Sequence, residues 1–244
     1  MSRPVSPFRR RPACARALLA GAVLLLAAAC AVPAPQPAEA PGAAETYAPL
    51  PADGATLYRI DAAASRVAIY VFRGGSAARF GHNHVLAVPQ LEGAVRVPDG
   101  PAGAAQFALR FSLDALRIDD AAQRAATGGS FASARSAQDI DGTRRNMLKS
   151  LDAARYPEVV IRSLAVHGDW PVLVADVAIS LHGVRRTQTV PLHVERGDGR
   201  LRARGSLAIR QSDFGIAPFS ILGGALAVQD VLAIEFDLVA VGAD

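Results

Sequence analysis

Apolar and polar residues alternate in short runs over most of the chain beyond position 57. The clearest run is 106–113, where Phe107, Leu109, Phe111 and Leu113 point one way and Gln106, Arg110 and Ser112 the other. A period of two marks a strand with one buried face. Residues 65–73 read SRVAIYVFR. Val67, Ile69 and Val71 alternate there, while Tyr70 and Phe72 make the second face apolar as well. Further strands are predicted over 158–166, which carries Val159 and Ile161, and over 172–182, 187–195, 202–211 and 228–239. Turn signals punctuate them: Gly74-Gly75, Pro98-Asp99-Gly100, His167-Gly168-Asp169, Gly197-Asp198-Gly199 and Gly223-Gly224. Many short strands at this spacing imply an antiparallel sandwich or barrel. The inward faces of such a barrel hold Val67, Ile69, Val71, Phe107, Leu109, Phe111, Val159 and Ile161.

The alternation stops between 119 and 151. Residues 119–126 and 136–151 place Ile140, Met147, Leu148 and Leu151 at helical spacing, so one or two short helices are predicted between two groups of strands. Tyr156-Pro157 then ends the helical stretch, because a residue before proline disfavours the α region.

The first thirty residues follow neither pattern. Arg9, Arg10 and Arg11 precede an apolar run from Ala17 to Ala29 and then Cys30. Basic residues before a short apolar run are the pattern of a secretory signal. The run falls short of the roughly 20 apolar residues a membrane-spanning helix needs. Leu26-Ala27-Ala28-Ala29-Cys30 resembles a bacterial lipobox, with Cys30 as the lipidated mature start; Ala27 stands where Leu is commoner. The alternative is an ordinary signal cut after Ala29, or after Ala40 of Ala38-Glu39-Ala40. Residues 31–55 are rich in Ala and Pro without hydrophobic period and read as an extended tether. The expected organisation is thus a signal over 1–30, a tether over 31–55 and a β domain over 56–244. An exported chain anchored to the periplasmic side of a bacterial membrane follows, with Ala31 after the cysteine favouring the outer membrane by resemblance to other lipoproteins.

This changes the meaning of the charge. The chain carries a formal +4, but Arg3, Arg9, Arg10, Arg11 and Arg16 fall in the first thirty residues with no acid among them. Removing those five charges leaves −1, so the basic balance of the whole chain is no argument for nucleic acid. The two cysteines are Cys14 and Cys30. The domain beyond them therefore has neither disulfide nor thiolate metal site, and its stability must come from an apolar core.

Four stretches, in order, resemble the YceI-like proteins, a family of lipid- or polyisoprenoid-binding, lipocalin-like domains. They are Tyr58-Arg59-Ile60-Asp61 with Ser65-Arg66-Val67; Arg145-Asn146-Met147-Leu148-Lys149-Ser150 leading to Ala154-Arg155-Tyr156-Pro157-Glu158-Val159; Ile179-Ser180-Leu181-His182-Gly183-Val184-Arg185-Arg186-Thr187; and Ser212-Asp213-Phe214-Gly215-Ile216 before a last strand. The resemblance implies an eight-stranded antiparallel barrel with a short helical insertion, and an elongated apolar interior holding an isoprenoid-type lipid. Alternation alone is equally compatible with an open interior and with one filled by side chains. Two departures stand out. Arg73 replaces a histidine that members often carry after the first apolar strand. Arg79-Phe80-Gly81-His82-Asn83-His84 stands where many have Gly-x-Phe. Arg73 and Arg79 are accordingly candidates for a lipid headgroup.

His82 and His84, two apart, share a face if their segment is extended. With His182 as third ligand, and His193 and His167 behind it, they are candidates for a Zn or Cu site. The competing reading is a polar turn in which a histidine bonds backbone, and for His182 a structural hydrogen bond. There is no Gly-x-Ser-x-Gly, P-loop or dinucleotide fingerprint, so an enzyme is poorly supported. Trp170, beside Pro171 at a hairpin, reads as packing. The leading expectation is a non-enzymatic carrier or sensor of an apolar-chain lipid. The alternatives are a His-based metal or redox module and a structural lipoprotein with a filled barrel. Oligomeric state is open, a homodimer included.

Overall fold

A computed structural model describes residues 42–242. Cys30 and the expected signal and first part of the tether lie outside the described residues. In chain order the strands are β1 Ala55–Ile60, β2 Arg66–Gly74, β3 His84–Ala87, β4 Glu92–Pro98, β5 Gln106–Ser112, β6 Arg117–Ile118, β7 Glu158–Asp169, β8 Val172–Leu181, β9 Val184–Gly197, β10 Arg200–Arg210, β11 Ser220–Ile221 and β12 Leu226–Gly242. Helices α1, Ala121–Thr127, and α2, Ala137–Ser150, lie between β6 and β7.

Eight strands close a barrel, in the order β1-β4-β5-β7-β8-β9-β10-β12 and back to β1, with every pairing antiparallel. Closure removes the exposed edges that an open sheet would present. β12 makes closure possible by its length. Its end pairs β1 at Ala240–Gly242, while its first part pairs β2 from Ala227 to Asp237. β3 and then β6 extend β2 beyond the barrel wall.

Alternation sets the inward face. On β8, Leu173, Ala175, Val177, Ile179 and Leu181 are all buried. On β7 the parity changes: Val159 and Ile161 face inward, and then Val166 does. The register shift between Ser163 and Ala165 explains this, since it leaves Leu164 as an extra residue, half exposed at 51%. His182-Gly183 forms the two-residue turn between β8 and β9, with φ of +55° and +71°. Positive φ at both positions is the hairpin turn that matches strand twist. A Cβ at Gly183 would also stand 2.5 Å from the Tyr156 ring, so this position needs glycine twice over.

α2 starts with a capping box. Ser136 Oγ accepts from Asp139 N, and the Asp139 carboxylate accepts from Ser136 N. Its apolar stripe of Ile140, Met147 and Leu148, with Leu151 just beyond it, packs on the core. Arg144 fastens it by donating to the carbonyls of Asp114 and Leu116, at 2.7 and 2.8 Å.

Residues 42–53, read from sequence as part of the tether, lie against the outside of the wall. Gly42 N donates to Gly183 O at 2.8 Å, and Tyr156 Oη donates to Gly42 O. Glu45 accepts from Ser180 Oγ and pairs with Arg162 at 3.5 Å. The Tyr47 ring lies under Arg110 and Arg162, and Arg96 donates to Asp53 O. This strap crosses β8, β7, β5 and β4 in that order. It explains why Ala108, Val160 and Ala178, outward by alternation, are nonetheless at most 2% exposed.

Candidate functional site

The barrel encloses a cavity of about 260 Å³. Val67 and Ile69 of β2, Phe107, Leu109 and Phe111 of β5, and Val159 and Ile161 of β7 line it. Val71 packs against the same core but is not part of the cavity wall. Met147 and Leu151 at the end of α2, with Leu113 and Leu116, close one end. Ala105, Leu201, Ala240 and Trp170 form the other. At roughly 10–15 Å³ per water-sized sphere the space takes about twenty such spheres. Water held there would find almost no hydrogen-bond partner, because the lining side chains are hydrocarbon, thioether or, once, indole. Cavities of that chemistry suit apolar guests.

Arg73 and Arg79 are not in that wall. Arg73 Nη1 donates to Gly81 O at 3.1 Å, and Arg73 N donates to the Asn83 side chain. The exposed Arg79 stacks on Phe80, 4.5 Å from the ring centroid. Both sit on or beyond the end of β2. Neither reaches a guest in the barrel, which corrects the headgroup expectation.

The histidines are also separated. His84 opens β3, and its Nδ1 lies 2.6 Å from Asp119 Oδ2. His82 lies exposed just before the strand. Partial burial, with the positive charge of Arg135 and of His84 nearby, lowers its pKa. His182 sits in the β8–β9 turn, where Nδ1 donates to Phe214 O at 3.0 Å and the ring meets Tyr156 edge-on. Among the described residues no three His, Cys, Asp or Glu come together as metal ligands. The expected grouping of His82, His84 and His182 therefore does not form; turn geometry and Asp119 take two of its members.

Asp119 was not singled out by sequence, yet it is the centre of a second buried region. Its carboxylate accepts from His84, from Val85 N at 3.0 Å and from Arg124 Nη1 at 2.5 Å. Arg124 is 1% exposed and also donates to Asn83 O and Ser133 O. Burial pushes the Asp119 pKa up, but the bonds from His84, Val85 and Arg124 outweigh it and hold it below the usual value. This network ties the β3 entry, α1 and the 130–133 loop together.

A family model for the YceI-like domain matches residues 58–240. The chain belongs to the YceI-like family. Two solved structures share the YceI-like fold at low identity. BcnA of Burkholderia cenocepacia is 16% identical, with a TM-score of 0.55, covering 74% of this chain and 98% of its own. A polyisoprenoid binding domain from Saccharophagus degradans, described as implicated in plant cell wall breakdown, is 16% identical, with a TM-score of 0.53, covering 76% and 98%. A comparison with curated proteins returned no match. In this YceI-like domain the interior is a cavity, which answers the question of an open against a filled barrel that alternation left undecided.

Proposed function

We propose that this YceI-like protein is a non-enzymatic carrier or sensor that holds the apolar chain of a polyisoprenoid or similar lipid inside its barrel. The observation that carries this reading is the cavity wall, hydrocarbon on nearly every side and large enough for a chain. The polyisoprenoid-binding description of the Saccharophagus relative supports it. Burial of apolar surface supplies the affinity at roughly 25 cal/mol per Å², or about 0.8 kcal/mol per CH₂. That attraction is non-directional, so binding tolerates changes along the chain and grows with its length. Native mass spectrometry of protein purified from its own membrane, followed by lipid extraction, tests the reading. A stoichiometric apolar-chain lipid is the expected adduct. A protein that carries none and takes up none from vesicles would sink it.

The same proposal includes export and anchoring through a lipidated Cys30 on the periplasmic side of the outer membrane. The lipobox-like Leu26-Ala27-Ala28-Ala29-Cys30 supports it. Cys30→Ala is expected to release the protein from membranes or block its processing. A mature chain starting at Pro41 would overturn the anchor and leave the carrier reading standing.

A further inference from the structure

One polar atom breaks the uniformity of the cavity wall. Trp170 alone among the lining residues carries a side-chain nitrogen or oxygen. Its indole Nε1 is buried and has no hydrogen-bond partner in the protein. Three other buried side-chain atoms among the described residues lack a partner: Arg96 Nε, Gln123 Oε1 and Arg135 Nε. None of these residues lines the cavity. An unpaired buried donor costs roughly 1–3 kcal/mol. A phenylalanine would give the same ring packing without that cost, so the unpaired N–H calls for a partner from outside the chain.

The ring is held in place from several sides. It packs on the main core and on the small cluster of Val97, Ala105, Leu201 and Ala240 at the β7–β8 hairpin end. The Arg196 guanidinium lies 4.7 Å from its centroid. Val194 N donates to Pro171 O at 2.8 Å, which fixes the backbone beside it. A donor with fixed direction at one end of an otherwise apolar space defines an orientation for whatever fills that space.

We propose that Trp170 donates its indole N–H to an oxygen acceptor on the bound lipid. The head of the lipid then sits at the β7–β8 hairpin end, and its chain runs toward Met147 and Leu151. The ligand class is an apolar chain with an acceptor oxygen at or near one terminus. Arg73 and Arg79, outside the wall, take no part. This inference rests on the carrier reading above and adds head chemistry and direction to it.

The experiment uses the exported, processed chain and two probes of equal isoprene count: hexaprenol, which ends in a hydroxyl, and squalene, which has no oxygen. Trp170 is the sole tryptophan, so the protein gives a single indole N–H resonance. Hexaprenol is expected to move that resonance downfield and slow its exchange with solvent deuterons, whereas squalene is not. Trp170→Phe is expected to weaken hexaprenol binding about tenfold, the loss of one hydrogen bond, and squalene binding by less than about twofold. An indole resonance indifferent to bound hexaprenol overturns the inference even if the variant fails to fold. Equal weakening for both probes also overturns it, since that is a packing effect. If the unaltered protein binds neither probe, the carrier reading falls and takes the inference with it. If it binds both without discrimination by Trp170, the carrier reading survives alone.

Discussion

The two buried regions of this molecule treat polar groups in opposite ways. Around Asp119, the carboxylate has three donors and Arg124 is bonded to Asn83 O, Ser133 O and Asp119. In the cavity there is a single polar side-chain atom, and it has no partner. A fully paired buried network fixes one geometry, here the seating of α1 and the 130–133 loop beside β3. An unpaired donor in an apolar wall fixes nothing within the chain. The first region is finished by folding, and the second is completed by a guest.

Removing a partner from the paired region should have the largest effect. Arg124→Leu leaves the Asp119 carboxylate buried against His84 alone among side chains, and should cost about 3–5 kcal/mol. Denaturant unfolding measures it; a loss under about 1 kcal/mol would mean the network is ornamental. Next is Phe111→Asp, which puts a carboxyl into the region that has no partner for one. It should cost on the order of 3 kcal/mol or abolish lipid uptake. Unchanged stability together with unchanged uptake would show that Phe111 does not face the guest.

His84→Ala should cost about 1–3 kcal/mol through the bond lost to Asp119. That revises the sequence-based expectation that His82 and His84 could both be removed with little effect on the fold. Only His82→Ala should be nearly silent, and thermal melts of the two single variants compare them directly. The smallest effect is on acid stability. Because the folded Asp119 pKa is depressed, its contribution is fully present above the ordinary value near 3.9 and is lost as pH falls through the folded value. Stability should therefore decline below about pH 4. Asp119→Asn, although less stable, should show a shallower decline; an identical slope would place the acid sensitivity elsewhere.

How much of this could be read from sequence depends on what each residue's neighbours are. β5 and β8–β10 were legible because one face meets the interior and the other meets solvent. β4, Glu92–Pro98, was missed: EGAVRVP offers little beyond Val95 and Val97, and outward Ala94 is buried too. β7 was predicted short because the extra residue Leu164 interrupts its parity. Val160, Ala108 and Ala178 blurred the alternation, since a strap distant in sequence covers them. The site was partly legible. The inward Val, Ile and Phe positions follow from period two, but the missing partner of Trp170 Nε1 is a property of three-dimensional surroundings. Asp119 gave no signal, because an acid at a strand–helix junction looks like any cap until His84 and Arg124 are seen converging on it.

The strap over 42–53 also has a mechanical reading. Its contacts are arranged in series along the chain: Gly42 to the β8–β9 turn, Glu45 to β8, Tyr47 and Ala48 to the arginines of β5 and β7, Asp53 to β4. Tension applied at residue 42 meets them one after another, as in peeling tape, while β1 behind them is held sideways between β4 and β12 and resists as a sheared joint. The strap should yield first and at low force, lengthening the leash by about 40 Å at roughly 3.3–3.6 Å per residue. The barrel and its contents would stay intact while it does so.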